Sequence, residues 1–159
     1  MPVLTRNETA DAVEMLKADH EKVRGLFRQF FETGERAIKT RQKLADQIFH
    51  EIEVHARLEE EVFYPAVRAV ADEQGEDVVA ESVEEHHVVE LLLGELKALS
   101  PEDEQFEPKM KVLFENVDHH IEEEETVMLP DARKKLKSQA EALSLEMQTL
   151  RAQLTGSAH

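Results

Sequence analysis

The sequence contains no cysteine among its 159 residues. This absence excludes disulfide bonds, zinc–thiolate sites, iron–sulfur clusters and peroxidase chemistry that depends on a thiol. Glycine and proline are scarce, with five residues each, and no run of about 18 apolar residues is present to span a membrane. The first residues lack the apolar segment of a secretory signal, so we expect a cytoplasmic protein with no membrane partner.

Positive charge is also sparse. Lysine and arginine total 19 against 35 aspartates and glutamates, which gives a formal net charge of −16. Nucleic acids and anionic lipids would repel such a chain, so we expect neither as a partner. The low glycine and proline content, with 41% hydrophobic residues, favours a helical domain with a buried core.

Apolar residues recur at alternating steps of three and four, which is the spacing of packed helices. The pattern predicts four long helices, over residues 8–33, 36–64, 76–99 and 106–129. Because short connections favour antiparallel neighbours, the predicted fold class is all-α: an up-down-up-down four-helix bundle over residues 1–130.

Residues 131–159 carry a fifth amphipathic stretch, with Leu136, Leu143, Met147 and Leu150 on one edge. The spacing predicts an additional C-terminal amphipathic helix. Two arrangements would cover its apolar edge: packing on the bundle of its own chain, or a homodimer formed through the C-terminal helix. The sequence leaves both open.

Seven polar side chains occupy helix positions where the pattern calls for apolar residues. They form two copies of one arrangement, in which a histidine on one helix is followed by His-x-x-x-Glu on the next. The two histidines of a copy are 35 residues apart in the first and 34 in the second. The seven residues are His20, His55, Glu59, His86, Glu90, His120 and Glu124.

Imidazoles and carboxylates buried at one level of a bundle indicate a metal site, because buried charges need partners. Residues four apart on a helix point the same way, so each His-x-x-x-Glu presents two donor groups inward. Four histidines and three glutamates exceed the needs of one ion, whereas two ions bridged by carboxylates would use them all. Without thiolates, this set suits iron, manganese or zinc.

Other polar residues have plainer interpretations. His87 and His119 lie about 100° round their helices from the proposed ligands, so we interpret them as residues at the rim of the site or just outside its ligands. We interpret His50 as exposed. Tyr64 is predicted to pack at the end of the bundle. In the alternative, a helix distortion at Pro65 turns Tyr64 inward as a ligand or hydrogen-bond partner of the site.

The doubled motif resembles that of the hemerythrin-like family, whose repeat is named for its His-His-Glu cation-binding residues. The resemblance covers residues 10–130 and implies a four-helix bundle around a non-haem di-iron centre, with two iron ions bridged by oxide or hydroxide. It implies that one iron is held by His20 and His55, and the other by His86, Glu90 and His120. The bridging carboxylates would be Glu59 and Glu124.

Two departures from oxygen-carrying hemerythrins bear on function. Those proteins have a histidine at the position of Glu90, and an aspartate five residues after the last histidine, where this chain has Glu124 at four residues and Glu125 at five. An anionic donor stabilises ferric iron, which disfavours reversible oxygen carriage. We therefore predict redox chemistry with, or binding of, hydrogen peroxide, dioxygen or nitric oxide. Oxygen carriage or sensing, and iron buffering or sensing without turnover, stay open as alternatives.

Overall fold

A computed structural model of the chain describes residues 11–156. The first ten residues, part of the predicted 1–130 domain and of its first helix, lie outside this range, as do the last three residues of the C-terminal segment. Within the described range every regular element is helical. The predicted all-α fold, a four-helix bundle with an additional C-terminal helix, is confirmed.

Four long helical rods form the bundle, and a fifth helix packs beside them. The first two rods are α1 (Ala12–Glu32) and α2 (Ile38–Leu58), the latter continuing through a π-helical turn (Glu59–Phe63) into α3 (Tyr64–Val70). The next two are α4 (Glu73–Lys97) and α5 (Phe106–Glu123), the latter continuing through a second π-helical turn (Glu124–Met128) into α6 (Leu129–Lys135). A 3₁₀ turn (Lys137–Gln139) then leads to α7 (Ala140–Thr155).

None of the helices between residues 11 and 156 is at once long and apolar enough to cross a membrane.

Aspartates mark the starts of two helices. Asp11 precedes α1 and accepts hydrogen bonds from the backbone N–H groups of Val13 and Glu14, at 2.8 and 3.4 Å. Asp72 precedes α4 and accepts from the N–H of Gly75 at 2.8 Å. A side-chain oxygen at this position satisfies a backbone donor that the helix itself leaves unpaired. As a result α4 begins at residue 73, three residues before the predicted start.

Pro65 and Pro130 distort their helices without ending them. Pro65 and Pro130 have no N–H to donate, and each ring crowds the carbonyl group four residues earlier. In both cases the helix widens into a π-helical turn that begins at a glutamate. After the first turn, the N–H of Tyr64 donates to the carbonyl of Glu59, five residues back. The sequence predicted that the fourth helix ends at residue 129, whereas the structure continues it as α6 to residue 135.

A polar layer divides the core into two halves. Leu16 and Met147, both fully buried, belong to the half that includes α7. Phe30 and Met110, also fully buried, belong to the opposite half. Each such side chain stabilises the fold by roughly 1.5–3 kcal/mol relative to an exposed position. The two apolar halves therefore hold the polar layer between them in a fixed geometry.

The fifth helix, α7, packs against α1 and α2 of its own chain. Its buried edge includes Leu143 and Met147, two of the residues from which the helix was predicted. This is the first of the two arrangements considered above, so the apolar edge is covered within one chain. A homodimer through this helix stays a prediction.

Candidate metal centre

Six polar side chains from the four rods meet in the layer between the two core halves. They form two groups, and within each group the four potential ligand atoms lie within 4.8 Å of one another. The first group is His20, His55, Glu59 and Glu124, and the second is Glu59, His86, His120 and Glu124. Each group offers two imidazole nitrogens and two carboxylate oxygens, a set that suits a transition-metal ion.

The two glutamates belong to both groups because each divides its oxygens between them. Glu59 places Oε2 3.0 Å from Nε2 of His55 and Oε1 3.0 Å from Nε2 of His86. Glu124 repeats the arrangement with the remaining two histidines, at 3.2 and 3.1 Å. Both glutamates are almost completely buried, with 0% and 1% exposure. A carboxylate that presents one oxygen to each group is placed to bridge two cations.

Four buried atoms of the first group lack a hydrogen-bond partner within the described part of the chain. They are Nε2 of His20, Nε2 of His55, Oε2 of Glu59 and Oε1 of Glu124. Buried polar atoms in folded proteins are nearly always satisfied. These nitrogens and oxygens approach in pairs at 3.0 and 3.2 Å, but their angles are poor for hydrogen bonds. A cation coordinated by all four would satisfy them together, so the residues fit a metal ion.

The second group surrounds a hydroxyl group. The Tyr64 oxygen lies 3.0 Å from Oε1 of Glu59 and within hydrogen-bonding distance of Glu124. It also lies 3.4 Å from Nε2 of His86 and 3.3 Å from Nε2 of His120. A cation bound to these four residues would therefore have the phenol oxygen beside it. The predicted packing role for Tyr64 at the bundle end is wrong, and the alternative as a partner of the site is observed.

The π-helical turn explains the position of Tyr64. In a regular α-helix a residue five positions on lies about 140° round the axis, which would turn Tyr64 away from the face that carries Glu59. The hydrogen bond from its N–H to the Glu59 carbonyl closes a wider turn and brings both side chains to one face. Turns of this kind are frequent at functional sites.

A carboxylate contacts each of the four imidazoles on the side away from the centre. The pairs join Nδ1 to a carboxylate oxygen at 2.7 Å (His20–Glu125), 2.8 Å (His55–Asp19), 2.5 Å (His86–Glu60) and 2.5 Å (His120–Glu85). A proton on Nδ1 leaves the lone pair on Nε2, which points into the centre. Metal-binding histidines are typically oriented in this way.

These carboxylates extend the internal repeat of the sequence. Asp19 and Glu85 each directly precede the first histidine of a copy, and each orients the second histidine of the same copy. Glu60 and Glu125 each directly follow a bridging glutamate, and each orients the first histidine of the other copy. None of these four roles was predicted from the sequence, although the second glutamate of both His-x-x-x-Glu-Glu segments was a usable signal.

The two halves of the centre differ in the residues that contact these carboxylates on the side away from the imidazoles. On one side, Nη2 of Arg151 in α7 lies 3.1 and 2.9 Å from the two oxygens of Asp19. On the other side, Glu85 faces His119 and Glu123. Arg151 therefore connects the fifth helix to an imidazole of the centre through a single carboxylate, a contact that no sequence pattern indicated.

Glu90, the seventh predicted ligand, belongs to neither group. It is exposed and lines a cavity beside the centre. The inward face of α4 continues from His86 to Val89 and Leu93, which are both buried. Glu90 lies one residue past Val89, about 100° further round the helix axis and at the edge of that face, so the predicted four-residue step does not bring it into either donor group. His50 is exposed, as predicted, and His87 and His119, predicted to lie at the rim of the site or just outside its ligands, are also exposed.

In the metal-free chain, protons balance the charge of the centre. Burial alone would lower the pKa of the histidines, but the carboxylates around them outweigh it. They raise the pKa of His55 to about 10, that of His86 to about 9 and that of His120 to about 12. Burial opposes ionisation of Glu59, yet the imidazoles hold its pKa well below the usual range. Burial and the two glutamates raise the pKa of Tyr64 well above 10, so its hydroxyl is neutral.

Comparison with known proteins agrees with this geometry. The family model of the hemerythrin HHE cation binding domain matches residues 11–132. The chain belongs to this family. A crystal structure of a hemerythrin HHE cation binding domain-containing protein from Mycobacterium kansasii is similar to it with a TM-score of 0.79 and 27% identity. That similarity covers 93% of this chain and 89% of the other. Family membership and the two His/Glu groups together identify a metal-binding domain of hemerythrin type.

Two curated relatives are longer proteins. A DNA nickase from Nostoc sp. is 30% identical over 126 residues, and an uncharacterized hemerythrin-like protein from Schizosaccharomyces pombe is 27% identical over 127 residues. These matches include 79% and 80% of this chain, but the chain spans only 34% and 61% of the two relatives. The resemblance therefore concerns the hemerythrin-like domain and not the whole of either relative.

Proposed function

We propose that this hemerythrin-family chain is a non-haem di-iron protein that carries out redox chemistry with, or binds, a small oxidant such as hydrogen peroxide, dioxygen or nitric oxide. One observation carries the proposal: two adjacent donor groups share both of their carboxylates, and four of their buried atoms lack a partner in the described chain. One cation in the first group would satisfy these four atoms, and the shared carboxylates offer their other oxygens to a second cation beside it.

The proposed ligands follow from the two groups. One ion would be held by His20 and His55, the other by His86 and His120 with the phenol oxygen of Tyr64 beside it, and both would share Glu59 and Glu124. Glu90 is not part of this set. Imidazole, carboxylate and phenol donors without thiolate suit iron, and two cations offset the buried negative charge that the carboxylates would otherwise leave unpaired.

An iron pair bound here would supply one- or two-electron transfer to the oxidant. The protein determines from which side the oxidant arrives. The bridging carboxylates and Tyr64 close one face of the centre, since all three are almost fully buried. On the other face the four imidazoles border a cavity. Its exposed lining residues, Glu60 beside α2 and Glu90 on α4, place the entrance between these two rods.

Tyr64 supports redox chemistry over reversible oxygen carriage. From the sequence, this preference rested on Glu90 as an anionic donor, and its exposed position removes that support. A phenol beside both bridging carboxylates would offer an anionic oxygen if a bound metal ion displaced its proton. Anionic oxygen donors stabilise ferric iron, which works against a protein that must return to the ferrous state after each release of oxygen.

DNA chemistry is not transferred from the Nostoc relative. This chain spans only 34% of that protein, and its net charge of −16 opposes approach to a phosphate backbone.

We expect protein from iron-replete cells to contain about two iron ions per chain, since the centre offers two donor groups with shared bridges. Elemental analysis and an optical spectrum test this directly. Hydrogen peroxide added to the iron-loaded protein is then expected to be consumed, with oxygen evolution if peroxide is dismutated. A single zinc ion per chain and no spectral change after iron reconstitution would overturn the di-iron proposal. An iron pair that leaves peroxide untouched would remove peroxide from the proposed oxidants, and one that also fails to react with dioxygen and nitric oxide would favour iron buffering.

The Tyr64→Phe variant is expected to keep its iron but to lose any phenolate-to-iron charge-transfer absorption and to show a higher reduction potential. The physical reason is the loss of an anionic donor that stabilises ferric iron. The measurement is unusually clean because the chain has one tyrosine, so a phenolate vibration in resonance Raman spectra can come from no other residue. A parent protein without such a vibration would show that Tyr64 stays a neutral hydrogen-bond donor.

The Arg151→Ala variant is expected to bind iron about tenfold more weakly, the lower end of the effect of removing an outer partner of a metal ligand. Arg151 holds Asp19, and Asp19 orients His55. Competition with a chelator measures the affinity, and Arg151→Lys should restore part of it. Arg133→Ala is the matched control, because Arg133 pairs with Asp11 and Glu14 at the start of α1, away from the centre. Equal affinity in Arg151→Ala and the parent would refute the connection.

A further inference from the structure

A cavity of about 350 Å³ lies inside the bundle next to the candidate metal centre. All four rods contribute to its lining. The imidazoles of the centre form its floor, and its walls are aliphatic: Val23, Ile52, Val89, Leu93, Val117 and Ile121. Charged side chains appear at its rim, where Glu53, Arg57, Glu60 and Glu90 are exposed to solvent.

This cavity is not simply the space between the metal ligands. The two bridging glutamates and Tyr64 are absent from its lining, although they surround the points where the ions would sit. The lining instead extends along α4 from His86 to Leu93, seven residues or about 10 Å at the rise of an α-helix. The space therefore continues from the imidazole face of the centre into the apolar half of the bundle that contains Phe30.

The cavity is larger than the proposed oxidants require. A water molecule occupies about 30 Å³, and dioxygen and peroxide are of similar size. Interiors of folded proteins are normally packed without large voids, whereas sites for small organic molecules have volumes of about 300–1,000 Å³ and mostly apolar linings with a few polar groups. By size and lining, the cavity matches a site for an organic ligand.

The charges at the rim restrict which ligand enters. Glu53 pairs with Lys97, Arg57 pairs with Glu61, and Glu60 is engaged by an imidazole of the centre. Glu90 has no ion-pair partner among residues 11–156 and leaves a negative charge at the entrance. Inside the cavity, Asp19 is paired with His55 and Arg151, and each imidazole of the floor already faces two carboxylates. The aliphatic walls offer no further charge to an ionic ligand group, and burying an unpaired charge is costly.

We propose that this cavity binds a neutral, mainly aliphatic molecule of up to about ten non-hydrogen atoms, with its polar end towards the imidazole face and its chain along the aliphatic walls. The proposal deepens the function proposed above, because it places an organic ligand beside the metal pair in addition to the small oxidant. It concerns binding, and the ligand class follows from the size, lining and charge of the cavity.

The test uses 1-hexanol as the neutral probe, with hexanoate and hexylamine as charged probes of equal chain length, added to the purified full chain. Calorimetry or ligand-observed NMR is expected to show saturable binding of hexanol, and binding of hexanoate at least tenfold weaker. Tighter binding of hexylamine than of hexanol would overturn the neutral assignment in favour of pairing with Glu90. Binding of none of the three would overturn the proposal.

Two variants of α5 locate the site. Val117→Phe fills the cavity and is expected to abolish hexanol binding while the metal content stays at the parent value. Val112→Phe adds the same bulk on the exposed face of the same helix and is expected to change neither. Hexanol binding that persists in a folded Val117→Phe protein would place the site elsewhere. Should that variant fail to fold, Val89→Phe fills the cavity from α4 and decides the same question.

The two proposals fail separately. A protein that binds hexanol in the cavity but holds no iron would contradict the di-iron function and leave the ligand site standing. A protein with two iron ions that binds none of the probes would retain the function and exclude the ligand site.

Discussion

The Glu59→Ala variant is expected to purify with less than about a quarter of the iron of the parent, and to lose both ions instead of one. Glu59 places one carboxylate oxygen in each donor group, 3.0 Å from an imidazole nitrogen of each. Removing it takes one of four donors from each ion and half of the shared negative charge between them. Glu124→Ala is expected to behave in the same way, because Glu124 has the equivalent position.

The control for this prediction comes from another glutamate near the centre. Glu90→Ala removes a carboxylate that lines the adjoining cavity but belongs to neither donor group, so its iron content should equal that of the parent. Iron analysis and circular dichroism on all three variants separate metal loss from unfolding. A Glu59→Ala protein that is folded and retains one full ion would show that the glutamate serves a single site. Iron loss in Glu90→Ala would restore the ligand role inferred from the sequence.

The sequence predicted the bundle because its apolar residues recur with the period of an α-helix. Polar residues on an apolar stripe stand out against that background, and this is why His20, His55, His86 and His120 could be identified from the sequence alone. Predictions of this kind depend on a constant 100° step per residue. They fail wherever the helix departs from that step, or where the inward face advances by three residues instead of four.

Both failures occur at the centre. A π-helical turn adds a residue between Glu59 and Tyr64, so periodicity placed the phenol on the wrong face. On α4 the inward positions after His86 are Val89 and Leu93, which leaves Glu90 at the surface. The proline that follows Tyr64 was the available signal for the first departure, since a missing N–H commonly forces a local change in hydrogen bonding. The second has no equivalent signal in the sequence.

Contacts between distant elements could not be predicted from the sequence, for a different reason. The carboxylate behind each imidazole comes from another rod, and such pairings depend on how the rods are rotated against each other. Arg151 is the extreme case, because it lies 132 residues from Asp19 in sequence and on a helix outside the repeat. Local patterns carry no information about such pairs, although the doubled glutamate after each His-x-x-x step marked Glu60 and Glu125 as worth testing.

The metal-free protein is expected to be most stable between about pH 4.5 and 6.5 and to lose stability as the pH rises further. The neighbouring carboxylates raise the pKa of His55, His86 and His120 to about 10, 9 and 12, whereas an unfolded histidine has a pKa of about 6.5. Between those values the folded chain holds protons that the unfolded chain has released. Each rise in pH across this interval therefore favours unfolding.

At acid pH the free energy of unfolding changes with pH in the opposite direction. The imidazoles hold the pKa of Glu59 well below its usual value of 4.5, so its contribution to stability is fully present above pH 4.5 and is lost as the pH falls through its lowered pKa. On the alkaline side each histidine contributes at most about 1.4 kcal/mol per pH unit. A loss of only about 2 kcal/mol between pH 6.5 and 8 would lower the melting temperature of a chain of this size by about 4–8 °C.

Iron binding should reverse the loss of stability at alkaline pH. Coordination needs imidazole nitrogens without protons, so binding expels the protons that the metal-free centre holds, and the affinity for iron increases with pH. Melting curves of chelator-treated and iron-loaded protein between pH 4 and 9 test both trends. Calorimetry in buffers of different ionisation enthalpy counts the released protons. His50→Ala removes an exposed histidine that belongs to neither donor group and should leave both trends unchanged. A metal-free melting temperature that is constant or rising from pH 6.5 to 9 would contradict the raised pKa values. In that case the imidazoles of the metal-free centre are neutral, and iron binding should release few protons at pH 7.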